Sequence, residues 1–373
     1  MRHPLFLLGL TAVACSPQKR LESGQSTDSA VVEPDPGTAD VWGAVYDGSD
    51  PSVPFLPDAH ARYWRYAFER PPTGTALLLD GALSDVRYQA VDVYDDDTRT
   101  SLGAVRDTAL NGMLRLWVAD PEDLANLDGP GLPLPAGATA LFLRMYDPEG
   151  RVAAPALPRV SVVDLATGAF AAPPARVEPA EIPQSLIDSV MARHEIAQRE
   201  DRVDFYRIEG AGLYAAADND YLVAQITRAP DEVVALRFQP PTHATAPESS
   251  AEVRYWSLTQ CDRQSYCHHT LADLEVSLSD GMAEVVIGDD DPALRAAAGD
   301  RTFVPWSTPG DEMVLVYRNL ATVDGVAHAI DSVPVFDSAS AVEGQEATAT
   351  LGSRAPGGTR CARTAFIDGT CGQ

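Results

Sequence analysis

The sequence predicts a mainly β protein: two tandem, homologous β-sandwich or jelly-roll-like domains joined by one helix. Three observations predict it. Blocks of the first half recur in the same order in the second half. The matched blocks alternate apolar with other residues at period two, as a half-buried strand does. They are short, separated by Pro, Gly and Asp clusters, and show no βαβ rhythm.

The chain opens with MRHPLFLLGLTAVAC, in which Arg2 precedes an apolar run from Leu5 to Ala14. Such a run is too short to cross a bilayer, which takes roughly 20 helical residues. A basic start, a short apolar core and a small residue before the cut read as a signal peptide over residues 1–14. Ala12-Val13-Ala14-Cys15 resembles a bacterial lipobox, with Ala12 where Leu is preferred. The resemblance implies a lipidated Cys15 as the mature N-terminus, and Ser16 behind it implies the outer membrane. Residues 15–40 are polar, rich in Ser, Pro, Gly and acids, and read as a disordered tether.

The first domain is expected over 41–180 and the second over 203–340. "PTGTALLL" (72–79) answers "PDEVVALR" (230–237), and "SDVRYQAVDVYD" (84–95) answers "AEVRYWSLTQCD" (251–262). "GMLRLWVAD" (112–120) answers "GMAEVVIGD" (281–289), and "ALFLR" (140–144) answers "VLVYR" (314–318). "ALPRVSVVD" (156–164) answers "AIDSVPVFD" (329–337). Val91 with Val93, Leu114 with Leu116 and Val118, and Val160 with Val162 alternate; Val333 and Val335 are the expected partners of the last pair. Between the copies, "IPQSLIDSVMARHEIAQRE" (182–200) predicts a connecting helix within 181–202. Ile187, Val190, Met191 and His194 share a face, and Pro183 suits the first turn. Residues 341–373 are expected to be a disulfide-closed tail.

"NDYLVAQITRAPDEVVALRF", "EVRYWSLTQC", "FVPWSTPGDEMVLVYRN" and "RCARTAFIDGTC" resemble a family of uncharacterised exported bacterial proteins with β-sandwich domains. The resemblance spans most of residues 55–371. It implies a fold and an exported location, and no activity.

Four cysteines follow Cys15. An even number in an exported chain implies disulfides, with three possible pairings. Cys261–Cys267 and Cys361–Cys371 are preferred, since each pair brackets one short loop. His268 and His269 follow Cys267 directly, so on a strand they point to opposite faces. A metal reading would use them, or Asp95 and Asp97 of an acidic loop that could suit calcium. Neither spacing fits a known site, and no metal or cofactor is expected.

Arg87-Tyr88 and Arg254-Tyr255-Trp256 recur at equivalent places, and Trp306 sits near a turn. Together they are the candidate ligand-binding residues, as an arginine and aromatic platform. The competing reading makes them core aromatics with ion-paired arginines. Asp218, Asn219 and Asp220 read as turn formers. No nucleophile elbow, zinc-protease motif or phosphate loop is present. A formal net charge of −26 argues against nucleic acid as a partner. The expected function is a lipid-anchored envelope protein acting as a non-catalytic binding or interaction module for a glycan or protein. The alternatives are a secreted hydrolase with an unrecognised carboxylate site and a purely structural envelope component.

Overall fold

The computed structural model describes residues 41–50, 56–178, 184–192, 196, 198–208, 214–244, 250–337 and 343–371, with only the backbone of Val190 and Met191. The leader, Cys15, the tether and His194 lie outside the described residues. The first half forms β1 (Val45–Asp47), β2 (Ala61–Phe68), β3 (Thr75–Ala82), β4 (Tyr88–Asp95), β5 (Thr100–Arg106), β6 (Met113–Ala119), β7 (Gly131–Pro133), β8 (Thr139–Tyr146), β9 (Arg159–Asp164) and β10 (Phe170–Ala171). They make two sheets, in the orders β1-β2-β8-β4-β5 and β10-β9-β3-β6-β7.

The second half forms β11 (Arg202–Val203), β12 (Tyr206–Arg207), β13 (Asn219–Thr227), β14 (Glu232–Phe238), β15 (Tyr255–Cys261), β16 (Cys267–Ala272), β17 (Leu278–Ser279), β18 (Met282–Gly288), β19 (Thr302–Pro305), β20 (Glu312–Leu320) and β21 (Gly358–Ala362). Their sheets run β12-β13-β20-β15-β16 and β11-β21-β14-β18-β17, with β19 also on β18. Pairing is antiparallel except that β7 and β19 run parallel to β6 and β18.

The strand order is therefore repeated, with β19 in the place of β7 and β17 added, and the register of the central strands is repeated with it. Val91 faces Leu143 on β8 as Leu258 faces Tyr317 on β20. Val93 faces Leu141 as Gln260 faces Leu315. A bulge interrupts β4 between Val93 and Tyr94, and its counterpart interrupts β15 between Gln260 and Cys261. Each sandwich closes over its own core. Tyr66, Leu77, Val91, Leu116 and Leu143 fill the first; Leu222, Leu236, Trp256, Val285 and Tyr317 fill the second. Each fully buried aliphatic or aromatic side chain contributes roughly 1.5–3 kcal/mol relative to exposure.

Three expectations are corrected. Leu77 and Leu79 point into the first core, and Val234 and Leu236 into the second, so Leu77 answers Val234 rather than Ala235. Both "ALLL" and "VVAL" are apolar throughout, so composition could not choose between registers one residue apart; only the face decides. Residues 329–337 are not a strand. They hold a short 3-10 turn, Ile330–Ser332, and a lone bridge from Val335 to Arg207, with Pro334 lacking a ladder donor.

The counterpart of β9 is instead β21, which lies between β11 and β14, so residues beyond 340 are part of the second sandwich. Gly358 permits this: a Cβ there would sit 2.3 Å from the Ala235 carbonyl oxygen. Among the described residues the connecting helix covers Gln184–Ala192, and 196 and 198–200 are not helical. Ile187 packs with Ile196, Tyr206, Val223 and Val316 of the second sandwich. A helix begins at an Asp-Pro step after each of β6 and β18, Pro121–Leu124 directly and Pro292–Ala298 two residues later.

Candidate functional site

The outer faces of the β1-β2-β8-β4-β5 and β12-β13-β20-β15-β16 sheets meet. Alanines at 61, 67, 90, 140 and 272 let the sheets approach, and Tyr63, Tyr88, Tyr94, Phe142, Tyr146 and Tyr255 fill the space between. The polar contacts across this junction come in reciprocal pairs. Arg87, just before β4, gives its Nη1 to both carboxylate oxygens of Asp273 at 2.6 Å. Arg254, just before β15, gives its Nη2 to Asp107 at 2.9 Å. Asp107 and Asp273 each open a 3-10 turn directly after β5 and β16.

On the central strands, Arg144 donates from Nη2 to the carbonyl of Tyr214 at 2.7 Å, and Arg318 to the carbonyl of Leu56 at 2.9 Å. Leu56 and Tyr214 share a left-handed backbone, with φ of 52° and 54°. Tyr88 donates its hydroxyl to Asp218, and Tyr255 its own to Asp58. A residue of copy one touching its partner in copy two, and the reverse, is the signature of an isologous contact, the kind two-fold dimers make.

Arg87, Tyr88, Arg254, Tyr255 and Trp256 are all buried, between 0% and 6% exposed. They do not form an open platform; the first four tie the sandwiches together and Trp256 lies in the second core. Trp306 is half-buried, gives its Nε1 to Gly310 and carries the Arg228 guanidinium 4.5 Å over its ring. Burial disfavours charge on these groups, and oppositely charged partners oppose it. Burial raises the Asp107 and Asp273 carboxyls above the ordinary range, while Arg254 and Arg87 beside them pull the other way. Asp92 is raised likewise, with Arg144 opposing. Burial and Asp218 push the Tyr88 phenol well up.

Two disulfides are present, Cys261–Cys267 and Cys361–Cys371. Such staples belong to proteins that fold outside the reducing cytosol. The first joins β15 to β16; the second ties β21 to the end of the chain. The histidines and acids weighed as metal ligands are not brought together. His268 pairs with Asp262 at 2.9 Å, while His269 lies opposite Gln260 in the ladder. Burial lowers the His269 pKa. Asp95 accepts from the backbone of Asp97 and Thr98 in the β4–β5 turn of the other sandwich. Among the described residues no cluster of three His, Cys, Asp or Glu side chains could hold a metal.

Two hollows open at the junction, and residues 321–324 of the segment that follows β20 line both. One, of about 310 Å³, takes Arg106 from the first sandwich and Asp218, Asp220, Asp324 and Asp331 from the second. Arg106 lies 3.5 Å from Asp218. Burial raises the Asp220 carboxyl, Thr322 opposes this with a hydrogen bond, and Asp331 adds to the rise. The other, of about 270 Å³, takes Arg106 and Thr108 from the first sandwich and Val253, Arg254 and Val323 from the second.

Sequence reading missed Arg106, Thr108 and the 321–326 segment, and took Asp218 and Asp220 for turn formers. These residues are far apart in the chain and meet only because the two sheets face each other. The one signal available was Val323, an apolar residue placed where the first copy carries Glu149.

No protein-family model matches the chain, and no curated protein matches it. A solved structure shares its fold. The chain is similar to an uncharacterised protein from Burkholderia cenocepacia, with 11% identity and a TM-score of 0.54 over 78% of this chain and 81% of that one. It is also similar to the VPA0106 protein from Vibrio parahaemolyticus, with 10% identity and a TM-score of 0.45 over 73% and 87%. At this identity the likeness is one of fold alone.

Proposed function

We propose that the chain is a lipid-anchored envelope protein whose β body is a non-catalytic binding module for a glycan or protein. The observation that carries the reading is that each hollow at the junction draws on both sandwiches. Buried ion pairs fix the sandwiches against each other, so the two hollows are held open in advance of any ligand. Preorganisation of this kind spares a ligand the ordering cost that otherwise weakens binding. The lipobox-like end of the leader at Cys15 supports an anchor, and Ser16 supports the outer membrane. A tether over 16–40 would hold the module clear of the bilayer.

The test begins with Cys15→Ser, which should move the protein out of the membrane fraction. Without its first 14 residues, that soluble form is then screened against glycan and peptide libraries, with turnover followed alongside binding. Saturable binding without turnover is expected. Turnover of a bound glycan or peptide would replace the module with a hydrolase, and silence across both libraries would leave a structural envelope component.

A further inference from the structure

The pseudo-two-fold junction is unequal around its two leading arginines, Arg87 and Arg254. Beside Arg87, the loop after β8 brings in Glu149, which accepts from Nε at 2.8 Å and from Nη2, so this guanidinium meets two carboxylates. Beside Arg254, the equivalent loop follows β20. The two loops leave their strands alike: Asp147 N–H donates to the His60 carbonyl as Ala321 N–H donates to that of Asp218. Glu149 stands third after Tyr146, the end of β8, and Val323 third after Leu320, the end of β20.

Val323 is 51% exposed and brings no carboxylate. Among the described residues Arg254 therefore holds one acid, Asp107, and gives Nε, at 3.1 Å, and Nη2 to the Arg87 carbonyl, which takes the edge that Glu149 takes on Arg87. Its Nη1 is buried with no hydrogen-bond partner among the described residues. A buried donor left unpaired is costly, and a charged one more so. Burial lowers the Arg254 pKa, with Asp107 resisting. Arg87 is raised, because Glu149 and Asp273 outweigh the same burial.

We propose that the hollow at Arg254 binds the carboxylate of a short aliphatic ligand, such as a peptide C-terminus, through the Nη1 that Arg254 leaves unpaired. This rests on reading the junction as a binding site and names the chemistry it selects. Arg106, 40% exposed, stands at the same hollow as a second cation, and Thr108 adds a hydroxyl. The remaining wall is Ala244, Ala251, Val253, Ala321 and Val323, small and apolar, together with Thr322 and Asp324. That wall suits a methyl or isopropyl group better than a hydroxylated sugar ring. Asp107 and Asp324 nearby, on a chain of net charge −26, favour a monoanion over phosphate.

The test titrates the soluble Cys15→Ser chain with N-acetyl-L-alanine, its neutral amide, D-glucuronate and inorganic phosphate, by calorimetry and by NMR of arginine side-chain signals. N-acetyl-L-alanine should bind saturably and shift the Arg254 signal, with the other three at least tenfold weaker. Because Arg254→Met strands Asp107 and could unfold the chain, Val323→Glu is the deciding variant. It puts an internal carboxylate in the wall of the same hollow, so it should abolish N-acetyl-L-alanine binding and raise Tm. Unchanged binding in Val323→Glu, tighter binding of glucuronate or phosphate, or no binding by the wild type would each overturn the proposal. If the library screen meanwhile finds a ligand that leaves Arg254 unmoved, the module stands and only the carboxylate assignment fails.

Discussion

Asp58 shows how much one buried carboxylate does at the junction. It is fully buried and accepts from Arg318 Nη1 at 2.6 Å, from Ser257 Oγ at 2.7 Å and from the Tyr255 hydroxyl at 3.1 Å. Arg318 is 2% exposed, so removing the charge opposite it leaves a cation in a dry place. Breaking such a pair from one side costs about 3–5 kcal/mol, even though the intact pair adds little over an apolar substitute. Asp58→Asn should lower urea stability by about that much. Glu284→Gln, which breaks an exposed pair with Arg237, should cost about 0–1 kcal/mol. Equal losses in the two variants would mean that the junction is wet and its ion pairs screened.

At the scale of elements, β21 matters most. It pairs with β14 on one side and β11 on the other, so it is an interior strand of its sheet. Its sequence, Gly-Thr-Arg-Cys-Ala, has no apolar alternation, and it follows a long excursion through residues 321–357. A chain ending at 340 loses β21 and leaves β14 as a bare edge over Val233 and Val234. The second sandwich should then fail to unfold cooperatively, as read by near-UV circular dichroism and limited proteolysis; a wild-type Tm in the truncated chain would contradict the assigned sheet order. Cys361→Ser with Cys371→Ser should be milder, about 2–4 kcal/mol, because the strand remains and only its loop constraint is lost.

For the whole molecule, acid and alkali act on different groups. Asp92, Asp107, Asp220 and Asp273 have folded pKa values raised chiefly by burial. The native state thus holds protons that the unfolded chain releases near pH 3.9. Their stabilisation is full below that pH and fades as pH rises through the raised values. The net charge of −26 adds self-repulsion that grows over the same range. Glu252 works in the opposite sense. Its folded pKa is lowered, with Arg354 outweighing burial, so its contribution is present above the ordinary glutamate value and fades as pH falls through the folded one.

The buried phenols of Tyr88, Tyr146 and Tyr255 are raised well above 10 by burial, so stability falls again as pH passes the ordinary tyrosine value of roughly 10. Tm should therefore be highest on the acid side of neutral, decline toward pH 9 and collapse above about pH 10. Added salt should flatten the first decline by screening the net charge. Thermal scans from pH 5 to 11 at two salt concentrations check this; a Tm that climbs toward pH 9 would show that the carboxylates are held below, not above, their ordinary values.

Much of this architecture was determined by the sequence alone, because local chemistry fixes it. Period-two alternation set Val91, Val93, Leu114, Leu116 and Val118 inward, and the repeated Val-Arg-Tyr step placed β4 and β15 in register. Cysteines close in sequence and bracketing single loops could staple without long-range help. Only the tertiary structure decided the rest. "ALLL" and "VVAL" are apolar on both faces, so their true register appears only when each is seen against its core. β21 carries no pattern, and its place was won by Gly358 fitting against β14 where residues 329–337 could not. Arg87 and Arg254 look alike in the chain, both followed by tyrosine at the start of a strand. What separates them is Glu149 against Val323, residues distant in sequence that matter only because two sheets meet face to face and put a third-position loop residue beside each guanidinium. Electrostatic partners of that kind are set by three-dimensional proximity, which neither composition nor spacing encodes.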